Sequence, residues 1–281
     1  MAWNEAWGNI RSNYRFQARV RGGKISRLAY LTVYYFVFIS FRSGDRHQRA
    51  LNWLKRLGLS DRRVDVETPD GLVLDLDLDI AFDPLYTIVG EQDYDGKAGF
   101  EIAPGQVVVD LGANLGVFAT RAARRVGPSG RVIAVEPHPD NFARLQRNAS
   151  RNGLTWLDCV QAAVGDREGE ATLFVHDRGG NHSIVHGSDT GRSVKVRLRT
   201  VDEIARERGL TRVDFIKIDI EGAVAAALRG ASETLKRFHP LISLERDSDE
   251  DSKGVDEFLA AHGYEARKVG GYIYARPAVR A

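Results

Sequence analysis

From residue 104 onward the chain alternates short apolar runs with amphipathic stretches, and that order confines it to few folds. "QVVVDL" (106–111) is a continuous apolar run of the kind buried on both faces of a sheet. "VFATRAARRVG" (117–127) follows with helical spacing and a closing glycine. "RVIAVE" (131–136) is a second strand, and "DNFARLQRNASRNG" (140–153) a second helix with Phe142, Leu145 and Ala149 on one stripe. "LDCVQAAV" (157–164) is a third strand. Short turns in a βαβαβ order require right-handed crossovers and a parallel sheet, with ligands at the carboxyl ends of the strands. "FIKIDIEG" (215–222) adds a central strand, and "PLISLE", "SKGVDEFLAAHG" and "GGYIYAR" a strand, a helix and an edge strand. The predicted class is α/β, a doubly wound, mostly parallel sheet with a β-hairpin insertion and a helical N-terminal extension. Three segments are expected: 1–63, the extension; 64–103, a β lead-in; and 104–281, the catalytic domain.

The turn after the first of these strands, "VVVDLGANLGVF" (107–118), narrows the ligand. Gly112 lets the chain bend out of the strand, and Gly116 lets the next helix pack closely, its first N–H groups facing an anion. A dinucleotide fingerprint needs glycines at i, i+2 and i+5, whereas Asn114 stands at i+2 and the second glycine at i+4. No Gly-Lys-Ser/Thr follows, which excludes a P-loop. A fixed charge on Asp110 repels a pyrophosphate but suits a ligand with both a carboxylate and a cationic amine. S-adenosyl-L-methionine is such a ligand. Glu136 ends the second strand, where a carboxylate accepts from both ribose hydroxyls, and Asp166 follows the third, in reach of an adenine amino group. A nicotinamide-dependent oxidoreductase shares Glu136 and gains nothing from Asp110.

"VVVDLGANLGVFA", "VIAVEPHPDNFARLQRN", "AAVGDREGEATLFV", "TVDEI" and "VDFIKIDIEG", in this order, resemble the FkbM-type S-adenosylmethionine-dependent methyltransferases, a class I Rossmann-like family. The resemblance covers about residues 86–246 and is most specific at "DLGANLG" and "KIDIEG". It implies O-methylation of a sugar, glycan or secondary metabolite. It also implies cofactor-binding roles for Asp110, Gly112, Ala113, Asn114, Gly116, Glu136 and Pro137, with Asp219 and Glu221 on the substrate side. The family commonly has a glutamate three residues after the Glu of "IEG"; this chain has Val224. A non-catalytic cofactor-binding module in a membrane-associated assembly therefore stays open beside the enzyme.

Residues 170–201 interrupt the alternation. Val194, Val196 and Leu198 alternate with Lys195, Arg197 and Arg199, a β excursion joined to a Gly-rich loop with His176, His182 and His186. None of these histidines has the rigid i, i+4 spacing of a helical metal site, and no metal is expected. His182, between Asn181 and Ser183, is kept as a candidate general base beside Asp219 and Glu221. Upstream, Leu72, Leu74, Leu76, Leu78 and Ile80 alternate with Val73, Asp75, Asp77 and Asp79, so the aspartates read as the solvated face of a strand rather than as metal ligands.

Charge is uneven along the chain. Residues 1–63 hold thirteen of the 40 basic residues and three of the 38 acidic ones, a surplus of ten positive charges, so the 27 basic and 35 acidic residues that follow sum to −8. Inside this arm, "LAYLTVYYFVFISF" (28–41) has no charge. A spanning helix needs about 20 apolar residues, so this block reads either as a packing or dimer helix or as an interfacial anchor of Tyr and Phe. Its aromatics do not interleave with basic residues, which argues against nucleic acid. Cys159 is the only cysteine, so no disulfide framework exists and a reducing cytoplasm, at the inner face of the membrane, is expected. If residues 15–46 make peripheral contact with anionic lipid, vesicle flotation recovers the intact protein and not one starting at residue 64, and salt weakens the association. Equal flotation of both would assign the block to packing.

Overall fold

The computed structural model describes residues 20–21, 63–68, 70–77, 94–97, 99–176, 182–185, 187, 191–245 and 249–278. The chain divides into two compact units, residues 1–90 and 91–281. In the first, β1 (Val20–Arg21), β2 (Arg63–Glu67) and β3 (Val73–Asp77) form an antiparallel sheet in that order. Gly71, at φ +82°, makes the turn between β2 and β3, where Leu72 N–H donates to Thr68 Oγ1 at 3.0 Å. Leu72, Leu74 and Leu76 are fully buried, as their alternation predicts; Asp75 is only 9% exposed, so its face is not the open one expected. The uncharged block at 28–41, a helix that the spacing of Leu51, Leu54 and Leu57 predicts and Gly58 ends, and Asp79 lie outside the described residues. Of the segment expected to meet a membrane, Val20 and Arg21 are described, and they are strand, not helix. No helix among the described residues is long and apolar enough to cross a membrane.

The second unit starts earlier than residue 104, because Phe100 packs edge-on against Tyr274 at 5.2 Å and Tyr94 against Phe118 at 5.7 Å. Its elements alternate as the sequence predicts. They begin β4 (Val107–Leu111), α1 (Val117–Val126), β5 (Arg131–Val135), α2 (Pro139–Arg151) and β6 (Leu157–Val160). The insertion follows as β7 (Ala163–Val164), β8 (Gly169–Val175) and β9 (Arg192–Arg199), and then come α3 (Val201–Glu207), β10 (Phe215–Ile218), α4 (Val224–Arg229) and α5 (Ser232–Phe238). Last are β11 (Leu241–Glu245), α6 (Asp249–Ala261), β12 (Tyr264–Val269) and β13 (Tyr272–Pro277). Seven of the described strands form one sheet in the order β12-β13-β11-β10-β4-β5-β6. Strands β6, β5, β4, β10 and β11 run parallel, while β13 is antiparallel to β11 and to β12. Strand order reverses between β4 and β10, and a crevice opens at the carboxyl ends of such a pair.

Period two sorts the sheet's faces. Val109, Leu111, Ile133, Val135, Ile216, Ile218, Ile242 and Leu244 share one core with Ile204, Leu228, Leu235 and Leu259 of the covering helices. The intervening positions turn to the other face, where Asp110, Lys217 and Ser243 stand in register across β4, β10 and β11. All three are buried, a polar row in an otherwise apolar layer. The insertion is a separate sheet, β7-β9-β8, closed over Leu173, Val196 and Leu198. Arg199 at its end is buried and ion-paired with Glu203, 2.8 Å away, and with Glu207.

Gly112 is fixed by space as much as by its φ of +79°. A Cβ there would lie 1.8 Å from the Asp219 carbonyl oxygen, so the β4 turn and the end of β10 touch through backbone. Gly112→Ala should destabilise the protein by at least about 3 kcal/mol in denaturant melts, since neither backbone can retreat. Gly153→Ala is the comparison, with φ +66° and nothing within 4 Å of its Cβ; it should cost about 1 kcal/mol from conformation alone. Equal losses would show that the close approach does not matter.

Candidate active site

The crevice at the switch point is lined by Gly112, Asn114, Glu136 and Pro137 on one side and by Asp219, Ile220, Glu221 and Ala223 on the other. Ala162, Ala163, Val164 and Leu173 give it an apolar wall, and His182, Ser183 and Ile184 of the insertion close it. The sequence-predicted residues Gly112, Asn114, Glu136, Pro137, Asp219, Glu221 and His182 thus meet in one cleft.

Glu136 is the first residue past β5, so its side chain leaves the sheet layer and reaches the cleft. Its Oε2 accepts from Asn114 N–H and its Oε1 from His138 N–H, each at 2.8 Å, so each oxygen keeps acceptor capacity. Burial pushes its carboxyl up to about 7, with the two N–H groups opposing. The glycine turn is not the open anion receptor that its sequence predicts. Gly112 and Ala113 N–H donate to Val135 O, Asn114 N–H to Glu136, and Gly116 N–H to Ala113 O, so the turn spends these donors on its own shape. Ala113 is buried and Gly116, at φ +85°, caps α1; a Cβ on Gly116 would meet Leu145 Cδ1 at 2.5 Å, which is the close helix packing expected.

Asp110 does not line the cleft. It is the fourth residue of β4, fully buried, and its Oδ1 lies 3.1 Å from Lys217 Nζ. Burial lifts its carboxyl above the ordinary range, and the ammonium opposes that. Lys217 Nζ also donates to Gly112 O at 2.8 Å and contacts Asp219 Oδ2 at 3.3 Å. Asp110 is therefore linked to the cleft through Lys217, which also contacts Asp219. Asp166 is exposed and pairs with Arg229 at 3.0 Å, which holds its carboxyl below the usual range. Apolar Ala162 to Val164 occupy the place expected for an adenine-binding acid.

Asp219 sits just past β10 and is 31% exposed in its side chain. Tyr94 Oη donates to its Oδ2 at 3.0 Å and lies 3.2 Å from Glu245 Oε2, at the end of β11. Burial first, then Asp219, pushes the Glu245 carboxyl up to about 8. Glu221 lines the cleft and its carbonyl accepts from Ser183 Oγ at 2.8 Å, pinning the insertion to the strand end. His182 stacks on His138 with ring centroids 4.3 Å apart, and its Nδ1 accepts from His176 N–H at 3.2 Å. Burial, then His138, holds this imidazole down to about 4. With the Nδ1 lone pair engaged, Nε2 is the N–H of the neutral ring, a donor rather than a base. His186 lies outside the described residues. Val224 is 6% exposed within the main core, and Ala223 lines the cleft instead, so the departure at 224 takes no group out of the cleft.

Sequence reasoning missed Tyr94, Ser183 and Glu245. Glu245 carries the signal that found Glu136, an apolar strand ending in an acid; Tyr94, in the aperiodic "EQDYDGKAG", carries none. As for a ligand, Asn114 Oδ1 is buried and unpartnered, Glu136 offers two half-used oxygens and the alanine wall is flat and apolar. A ribose joined to an aromatic base and a polar tail fits these groups.

The profile of the methyltransferase FkbM domain matches residues 110–266, more than half of the chain. The 31-O-demethyl-FK506 methyltransferase FkbM of Streptomyces tacrolimicus is 28% identical over 199 residues, covering 60% of this chain and 76% of its own. The hexuronic acid methyltransferase AglP of Haloferax volcanii is 26% identical over 174 residues, covering 61% and 68%. Among solved structures, methyltransferase FkbM from Methylobacillus flagellatus KT is similar at a TM-score of 0.47 and 17% identity, over 97% of this chain and 60% of that one. Of the first curated relatives it matches, the chain covers between 60% and 76% of the length. The chain belongs to the FkbM methyltransferase family, and its second unit carries an S-adenosylmethionine-dependent methyltransferase domain.

Proposed function

We propose that the protein O-methylates a hydroxyl of a sugar, glycan or secondary metabolite, with Asp219 as the group that takes the hydroxyl proton. The observation that carries this reading is the placement of Asp219, a carboxylate fixed by Lys217 and Tyr94 through Oδ2, in the same cleft as the ribose-type acceptor Glu136. Relatives whose names specify a hexuronic acid and a 2-O position support the substrate class. Bound S-adenosylmethionine supplies an electrophilic methyl group. Glu136 and Asn114 are the residues to hold its ribose and polar tail, the apolar wall at 162–164 its adenine, and the Ser183 tether keeps the insertion over the cleft. Lys217 and Tyr94 hold Asp219 Oδ2, so Oδ1, which receives neither of those two contacts, is the oxygen assigned to orient the hydroxyl. Orientation of acceptor oxygen against methyl is worth several kcal/mol in such a displacement.

Calorimetry should show binding of S-adenosylmethionine and S-adenosylhomocysteine, with Glu136→Ala losing about 1.5–3 kcal/mol through charge-assisted hydrogen bonds. Affinity should fall as pH drops through about 7, because the protonated Glu136 has given up acceptor capacity. Comparable binding of NAD, or a flat pH profile, would count against the site.

Asp219→Asn or Glu221→Gln should keep donor affinity within about threefold while a lost general base costs on the order of 10² to 10⁴ in turnover on a panel of glycosides and uronic acids. His182→Ala is the control and should be the milder change. Normal turnover in both carboxylate variants would remove catalysis from this strand end.

A further inference from the structure

Tyr94 and Glu245 form, with Asp219, a chain of three oxygens whose hydrogens do not balance if both carboxyls are ionised. The phenol has one hydrogen and two carboxyl neighbours, Asp219 Oδ2 at 3.0 Å and Glu245 Oε2 at 3.2 Å. If that hydrogen points to Asp219, the phenol oxygen faces Glu245 with a lone pair, and only a proton on Glu245 makes the second contact a hydrogen bond. Tyr94 is 3% exposed and its ring is held by Phe118 at 5.7 Å, by Tyr272 at 5.1 Å and by Lys217 Nζ over its face at 5.1 Å. The ring has no room to swing to another partner.

We propose that Glu245 is protonated in the working enzyme and places its proton among the neighbouring oxygens of Tyr94 and Asp219, and that Tyr94 and Glu245 are thereby positioning residues for Asp219. The proposal rests on the reading of Asp219 as the proton acceptor and names what prepares it. The charges that face Glu245 are Asp219 and Lys217 from β10, Tyr94 from the segment before β4, and Tyr272, its register partner on β13. An ionised Glu245 would put a third carboxylate, after Asp110 and Asp219, around the single ammonium of Lys217. Its proton removes that excess, which agrees with a carboxyl pushed up to about 8 by burial, by the charge of Asp219 and by a side-chain hydrogen bond to it, with Tyr94 and Lys217 opposing. The phenol then keeps Asp219 Oδ2 occupied. When the hydroxyl O–H bond breaks, its proton goes to Asp219 while the chain behind it stays intact; no further proton is needed within the turnover.

The test is a carboxyl ¹³C NMR titration of the full chain, with labelled Asp and Glu, from pH 4 to 10, without donor or acceptor. The expected result is a glutamate signal that titrates near pH 8 in the wild type and is absent in Glu245→Gln. In Tyr94→Phe turnover should fall while donor affinity is kept, because Asp219 Oδ2 loses the contact that fixes it. Turnover should be largely kept in Glu245→Gln, whose amide can donate to the phenol, and reduced in Glu245→Ala. A Glu245 that titrates below pH 6, or turnover indifferent to Tyr94→Phe while Asp219→Asn is impaired, overturns the chain. Failure of the base assignment looks different: Asp219→Asn turns over normally while these titrations stand.

Discussion

A single buried ammonium organises the cleft. Lys217 Nζ reaches the Gly112 carbonyl, the Asp110 carboxylate and the Asp219 carboxylate, so its three hydrogens bind the first turn, the strand beneath it and the adjacent strand end. An ammonium taken out of water is costly, and leaving one without its carboxylate costs about 3–5 kcal/mol, so the three partners constrain one another. The backbone contact between Gly112 and Asp219 is the geometric counterpart: with no side chain at 112, the two strand ends come close enough for one lysine to serve both. Donor and acceptor sides of the cleft are therefore locked by the same few atoms.

The strand and helix order was legible because the buried strands are mostly apolar and the first two helices of the domain are followed by Gly127 and Gly153. The glycine spacing likewise separated this turn from dinucleotide and P-loop turns. What was not legible is phase at the strand ends. Asp110 and Glu136 look alike in sequence, each an acid after apolar residues, yet Asp110 is still inside β4 and points into the layer, while Glu136 is one residue past β5 and points into the cleft. A shift of one residue reverses the face, and the sequence does not mark where pairing stops. Lys217 has the same ambiguity, and its position between two apolar residues was the clue to its burial.

Other misreadings come from partners distant in sequence. Asp166 stands after the third strand as a cofactor acid would, but Arg229 of α4 claims it. The loop histidines follow the same pattern: His182 is stacked on His138, from the turn before α2, and its lone pair is taken by a neighbour's N–H, facts that no local spacing reveals. Tyr94 comes from a stretch with neither helical nor strand period, and enters the site because Phe118 and Tyr272 give its ring an edge-on pocket. Irregular segments that end in a packed aromatic are where pattern reading has least to use.

The way Asp219 is held also limits how it can act. Lys217 and Tyr94 both contact its Oδ2 and hold that oxygen in place. A weak carboxylate base cannot deprotonate a free alcohol to any useful extent before bond formation. The proton must instead leave late, as the oxygen gains positive character from the new bond and becomes strongly acidic. In that case basicity contributes little and direction much: a carboxylate fixed on one oxygen, with the other aimed at the hydroxyl, selects the lone pair that faces the methyl group. On the proposed reading of Asp219 as the proton acceptor, the buried network beneath it serves the reaction by preventing rotation of one carboxylate.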